Sequence, residues 1–144
     1  MPSALETIDS NPLFASLDAK QRGALAQDLV ERRYATGDVI TSQDTGGIAF
    51  FLLAEGTVSV TVHDVPRGTL GPGESFGEIG LLTGAKRSAA LVAESDVQCW
   101  TLSQWNFRPL LLRHPEVAVG LLEKLAKRVA GAERAASEAL GPPS

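Results

Sequence analysis

A chain of 144 residues, 44% of them hydrophobic, is long enough for one domain with its own core and needs no covalent staple. Its single cysteine, Cys99, excludes an internal disulfide and has no metal-ligand spacing, and its neighbours Val97 and Trp100 mark it as a buried structural thiol. A formal net charge of −4 leaves no basic footprint for DNA or RNA, no apolar run reaches the ~20 residues of a membrane span, and residues 1–10 lack the parts of a signal peptide, so a cytoplasmic protein with no membrane partner is expected.

Residues 1–10 are polar and read as a flexible N-terminus. Asn11-Pro12-Leu13-Phe14 reads as a short helical entry with proline in the first turn. Asp18 caps a helix over residues 19–29, in which Leu25 and Leu29 share a face. Residues 31–35 then read as a strand ended by the Thr36-Gly37-Asp38 turn. Residues 39–41 and 50–53 are short apolar strands around a polar loop, and Glu55-Gly56 is a turn. Residues 57–62 alternate strictly, with valines on one face and hydroxyls on the other, as a half-buried strand does. Pro66, Gly68, Gly71, Pro72 and Gly73 break up the next stretch, and a short loop between Val62 and Leu70, carrying Pro66, makes that hairpin compact.

Two more strands follow at 88–92 and 97–102. Ser103 can cap a helix carrying Trp105, Phe107 and residues 110–112, in which Pro109 predicts a kink or a late start. His114-Pro115 is a break. Residues 116–137 read as one helix whose apolar stripe is Ala118, Leu121, Leu122, Leu125, Val129 and Ala132. Residues 138–144 close in Gly-Pro-Pro-Ser and read as a flexible tail. The order predicts a mainly β fold with flanking helices: an antiparallel β-roll of the jelly-roll, double-stranded β-helix type over about 31–102, short N-terminal helices, and two C-terminal helices over about 103–137. The domain as a whole is expected to span 11–137.

The most informative stretch begins Phe76-Gly77-Glu78-Ile79-Gly80-Leu81-Leu82 and ends Lys86-Arg87-Ser88-Ala89-Ala90-Leu91. Glu78 and Arg87 could simply form a partly exposed ion pair, which would contribute little. Their context fits a ligand better. Gly77 removes a side chain just before Glu78. One helical turn from Glu78 would aim free N–H groups at an anion, and small residues leave room beside Arg87. A phosphate would compensate a desolvated guanidinium, whereas Glu78 would repel it and must face something neutral, such as a ribose hydroxyl. The pair therefore fits a nucleotide whose sugar and phosphate lie close together.

The stretch resembles the phosphate-binding cassette of cyclic nucleotide-binding domains, which occur in catabolite-activator-type regulators, kinase regulatory subunits and nucleotide-gated channels. The family pattern of Phe-Gly-Glu, small or apolar residues, a loop and Pro-Arg-Ser/Thr/Ala-Ala is met at Phe76, Gly77, Glu78, Ile79, Gly80, Leu81, Leu82, Arg87, Ser88 and Ala89. Lys86 stands where the family usually has proline. Gly37-Asp38-Val39-Ile40, Gln43, Phe50-Phe51-Leu52-Leu53, Gly56-Thr57-Val58-Ser59-Val60 and Leu70-Gly71-Pro72-Gly73 follow in the expected order, so the resemblance covers about residues 12–130.

That resemblance implies a ligand-sensing regulatory domain, not an enzyme, with neither metal nor cofactor. The ligand is cAMP, with cGMP as the second candidate. Glu78 would take the ribose 2′-hydroxyl and Arg87 the cyclic phosphate. The N–H groups of Gly77, Ile79 and Ala89 would assist, and Gly80 would complete the cradle. Ser88 would add a hydroxyl to phosphate or base, or cap a strand. Ligand would draw the cassette inward through Leu81 or Leu82 and reposition the C-terminal helices, the last of which is packing, lid or dimer seam. The partner would be an effector protein or domain. No helix-turn-helix precedes Ser144, so direct DNA binding is not expected. Two alternatives remain: a protein-interaction module of the same fold without nucleotide binding, and a sensor fragment of a transcription regulator or channel.

Other patterns lack context. Gly73-Glu74-Ser75-Phe76-Gly77 matches a nucleophile elbow without the larger α/β sheet or the later Asp and His arrangement that chemistry needs. Gly71-Pro72-Gly73 lacks a correctly spaced third glycine. His63 and His114 have no partners at ligand spacing. Trp100, Trp105 and Phe107 read as core, and Lys124, Lys127 and Arg128 as a solvated helix face.

Overall fold

Residues 49–55 read Ala-Phe-Phe-Leu-Leu-Ala-Glu, a run with no polar position before its end, as suits a strand buried on both faces. The computed structural model, which describes residues 1–40, 49–62, 65–78 and 89–140, builds the fold around that strand. Among the described residues the order is α1 (Ala4–Asp9), a 3-10 turn (Pro12–Phe14), α2 (Ala19–Asp28), β1 (Val30–Tyr34), β2 (Val39–Ile40), β3 (Ala49–Glu55), β4 (Val58–Val62), β5 (Val65–Leu70), β6 (Ser75–Phe76), β7 (Ala89–Ala93), β8 (Val97–Ser103), α3 (Gln104–Arg113) and α4 (Pro115–Leu140). The strands form two antiparallel four-stranded sheets, ordered β1-β8-β3-β6 and β2-β7-β4-β5. This is the expected β-roll with helical flanks.

Successive side chains of β3 enter different cores, because a strand alternates faces. Phe51 and Leu53 join Phe76, Leu91, Val97 and Cys99 between the sheets. Phe50 and Leu52 join Leu102, Phe107, Val117 and Leu121 beneath the helices. Phe50 stacks on Phe107 with ring centroids 5.0 Å apart. Cys99 is buried as expected; its Sγ donates to the Arg32 carbonyl at 3.6 Å, and burial pushes the thiol up to about 12.

Several expectations need correction. Residues 4–9 are helical. Ser3 and Glu6 form a capping box, and Ala4 and Ile8, one turn apart, enter the core under the helices. The Pro2 carbonyl also accepts bonds from Gln98 Nε2 and Trp100 Nε1. Two inward apolar residues in a polar decamer, beside the buried Thr7, are too faint a period to read from sequence. The broken stretch after Val62 holds a full strand, β5. Among the described strands it pairs only with β4, at the sheet edge, where a proline's missing N–H is tolerated. Arg67 is the extra residue of a bulge, since Val60 faces Gly68 and Thr61 faces Pro66.

The helix α3 starts directly at Gln104 and runs through Pro109, so there is no late start, and Ser103 makes no side-chain cap bond. Trp105, expected in the core, is 78% exposed. The helix α4 continues to Leu140, three residues beyond the expected end, and residues 141–144 lie outside those described. One face of it packs: Val117 and Leu121 are buried, while Leu122 and Val129 are exposed.

Candidate functional site

β6 brings the site to the core. Its two residues pair with β3, Phe76 opposite Phe51 and Ser75 opposite Leu52, and the Phe51 and Phe76 rings stack at 4.7 Å. Gly77 follows with φ +95°, and a Cβ there would run into the Ala49 carbonyl. Only glycine combines that backbone conformation with that close approach. The turn carries the next residue, Glu78, into the interior, where it is 0% exposed.

A fully buried carboxylate must be compensated. Arg128 Nη1 donates to Glu78 Oε1 at 2.6 Å, and Lys124 Nζ stands 3.7 Å from the same oxygen. Both cations come from α4, one turn apart and so on one face. Lys124 Nζ also donates to the Ser75 carbonyl at 3.0 Å and to Ser75 Oγ at 2.5 Å. Burial pulls the Lys124 ammonium below its ordinary value, and the negative charges of Glu78 and the rim residue Glu74 oppose that pull. Glu78 Oε2 is buried and has no partner among the described residues. Among the described residues, the arrangement therefore leaves one acceptor oxygen without a bond, on a carboxylate faced by two cations. Such a group suits a ligand hydroxyl.

The expected site residues divide accordingly. Gly77 and Glu78 are brought together at the β3–β6 end of one sheet. Ala89 begins β7, paired with Val62 of β4. Ile79, Gly80, Arg87 and Ser88 lie outside the described residues, as do Leu81, Leu82 and Lys86. Lys124 and Arg128, read from sequence as a solvated face, are instead bound to the site. The signal was present: Val117, Leu121, Lys124 and Arg128 continue one stripe at spacings of four, three and four, so the cations lie where the buried stripe runs on. Ser75, the centre of the elbow-like match, lies buried in a two-residue strand with its hydroxyl accepting from Lys124. Among the described residues no His, Cys, Asp and Glu cluster could hold a metal ion. No helix, among the same residues, is long and apolar enough to cross a membrane.

Comparison with known proteins adds an independent line. The family model described as the cyclic nucleotide-binding domain matches residues 31–114, more than half of the chain. A cAMP-dependent protein kinase regulatory subunit of Debaryomyces hansenii is 36% identical over 109 residues, covering 74% of this chain and 24% of that protein. The chain thus spans about a quarter of the length of the curated relatives it matches. The catabolite activator protein of Thermus thermophilus superposes with a TM-score of 0.75 at 32% identity, over 85% of this chain and 60% of that one. The regulatory domain of Toxoplasma gondii PKA, solved with cAMP, gives a TM-score of 0.74 over 87% of this chain and 49% of that one; at 23% identity it speaks to fold alone.

Proposed function

This chain belongs to the cyclic nucleotide-binding domain family, and from that premise we propose that it binds cAMP, with cGMP as the weaker ligand, as a regulatory sensor and not as an enzyme. Glu78 accepts the ribose 2′-hydroxyl on Oε2, and Arg87 holds the cyclic phosphate. Gly77, Ile79, Gly80, Ser88 and Ala89 complete the cradle with backbone N–H groups and one hydroxyl. The observation that carries this reading is the Glu78 carboxylate, 0% exposed, with one oxygen held by α4 and the other without a partner among the described residues. A buried acceptor left so is costly, and a ligand hydroxyl relieves the cost.

The signal leaves through α4. A residue that touches both ligand and helix links their equilibria, and ligand shifts the helix only by its different affinity for the two arrangements. The receiver is an effector protein or domain. The sensing unit is drawn from Ala4 rather than residue 11, because Ile8 is part of the core. Calorimetric titration with cAMP, cGMP and 5′-AMP tests the reading. Saturable heat with cAMP, weaker with cGMP and absent with 5′-AMP, is the expected outcome; no heat with either cyclic nucleotide overturns it.

A second reading has its own support. Leu122 and Val129 are exposed on the outer half of α4, which suits a same-fold interaction module that binds a protein without nucleotide. Under that reading Arg87→Ala leaves partner binding unchanged.

A further inference from the structure

Lys124 does more than balance charge. Its ammonium donates to the carbonyl and hydroxyl oxygens of Ser75 and stands 3.7 Å from Glu78 Oε1. Ser75 and Glu78 flank Phe76 and the Gly77 turn, and both are buried. One ammonium with three donors thus spans both ends of the turn that delivers the carboxylate. Arg128 bonds the same oxygen but, among the described residues, makes no bond to β6, and its side chain is 41% exposed. Both cations draw on Oε1, and Oε2 is left without a partner among the described residues.

We infer that Lys124 is a positioning residue for ligand recognition: by bridging Ser75 and Glu78 across the Gly77 turn, it fixes the carboxylate with Oε1 toward α4 and Oε2 toward the ribose hydroxyl. This rests on the reading of Glu78 as the ribose acceptor. Without the bridge the Arg128 bond, from a side chain 41% exposed, holds Oε1 without tying it to β6, and the carboxylate plane is held less firmly toward the ligand side. The consequence is specific to the 2′-hydroxyl and leaves the phosphate and base contacts alone.

The test is calorimetric titration of wild type, Lys124→Met and Lys124→Arg with cAMP and 2′-deoxy-cAMP, with folding checked by circular dichroism. Wild type is expected to prefer cAMP by about tenfold or more, the contribution of one hydrogen bond to a charged acceptor. In Lys124→Met that preference falls to about threefold or less, while 2′-deoxy-cAMP binds about as in wild type; Lys124→Arg, which keeps cationic donors, restores part of it. A Lys124→Met protein that weakens both ligands equally, with the preference intact, overturns the positioning role alone. A wild type that binds neither ligand, or both equally, overturns the ribose reading and this inference with it. Should Lys124→Met not fold, Ser75→Ala removes one acceptor of the bridge; a reduced preference supports the inference and an unchanged one overturns it.

Discussion

Arg128→Met isolates the strongest single bond at the site. In the folded protein the substitution takes a 2.6 Å charge-assisted donor from a carboxylate that is 0% exposed. Stripping a buried charge of its partner costs about 3–5 kcal/mol, and a bond to a charged group contributes about 1.5–3 kcal/mol. Two features pull the expected cost to the low end. The Arg128 side chain is 41% exposed, so solvent already screens the pair, and Lys124 at 3.7 Å remains to compensate part of the charge. About 2 kcal/mol is expected, a fall in melting temperature of about 4–8 °C for a domain of this size. Thermal and urea unfolding followed by circular dichroism measure it. Lys127→Met, on the exposed face of the same turn, is the control and should stay within about 0.5 kcal/mol of wild type. Glu78→Gln with Arg128→Met closes a double-mutant cycle, in which a coupling of about 2 kcal/mol is expected. If Arg128→Met is no more destabilising than Lys127→Met, or if the double variant is additive, α4 is not fastened to the cassette through Glu78.

Gly77→Ala is expected to cost about 2–4 kcal/mol, because it combines a positive φ with a collision against the Ala49 carbonyl, whereas Gly37→Ala has the same kind of φ in open space and should cost about 1–2 kcal/mol; urea unfolding of the two variants compares them. Ile8→Ala should lose about 2–4 kcal/mol in the same assay, since the side chain is fully buried in the core under the helices, and a near-neutral result would mean that α1 is not integral to the domain. Cys99 should resist a water-soluble disulfide reagent at pH 8 until the protein is unfolded. Its thiol titrates near its ordinary value in the unfolded chain and is pushed up to about 12 when folded. The folded state therefore holds this proton longer, and Cys99's contribution to stability is fully present below the unfolded value, falling as pH rises from there to about 12. Comparing wild type with Cys99→Ala by urea unfolding across that window measures it.

Much of the fold is legible in the sequence where a single element states its own requirement. The continuous apolar run of β3 suits burial on both faces. Asp18 announces the start of α2, and in the fold it caps reciprocally with Gln21 at 2.8 and 2.9 Å. The harder elements depend on partners. Nothing local marks β5 as a strand, because its proline and bulge are tolerated only at a sheet edge. Trp105 looks like core by residue type, yet it faces outward from the first turn of α3.

The candidate site divides the same way. Gly77 before a lone carboxylate in an apolar run is a local signal that marks Glu78 as the candidate acceptor, while the burial of that carboxylate and the positive φ of Gly77 are seen only in the fold. The sequence alone also suffices to place the chain in its family. Which groups compensate that acceptor is decided only by tertiary structure. Lys124 and Arg128 lie 46 and 50 residues beyond Glu78 along the chain. On a helix drawn by itself they are indistinguishable from solvated charges, because a cation's cost or gain is set by the dielectric and the partner it meets. Packing of one face of α4 against the roll carries those two side chains to the buried carboxylate, and that meeting turns an ordinary charged stripe into part of the site.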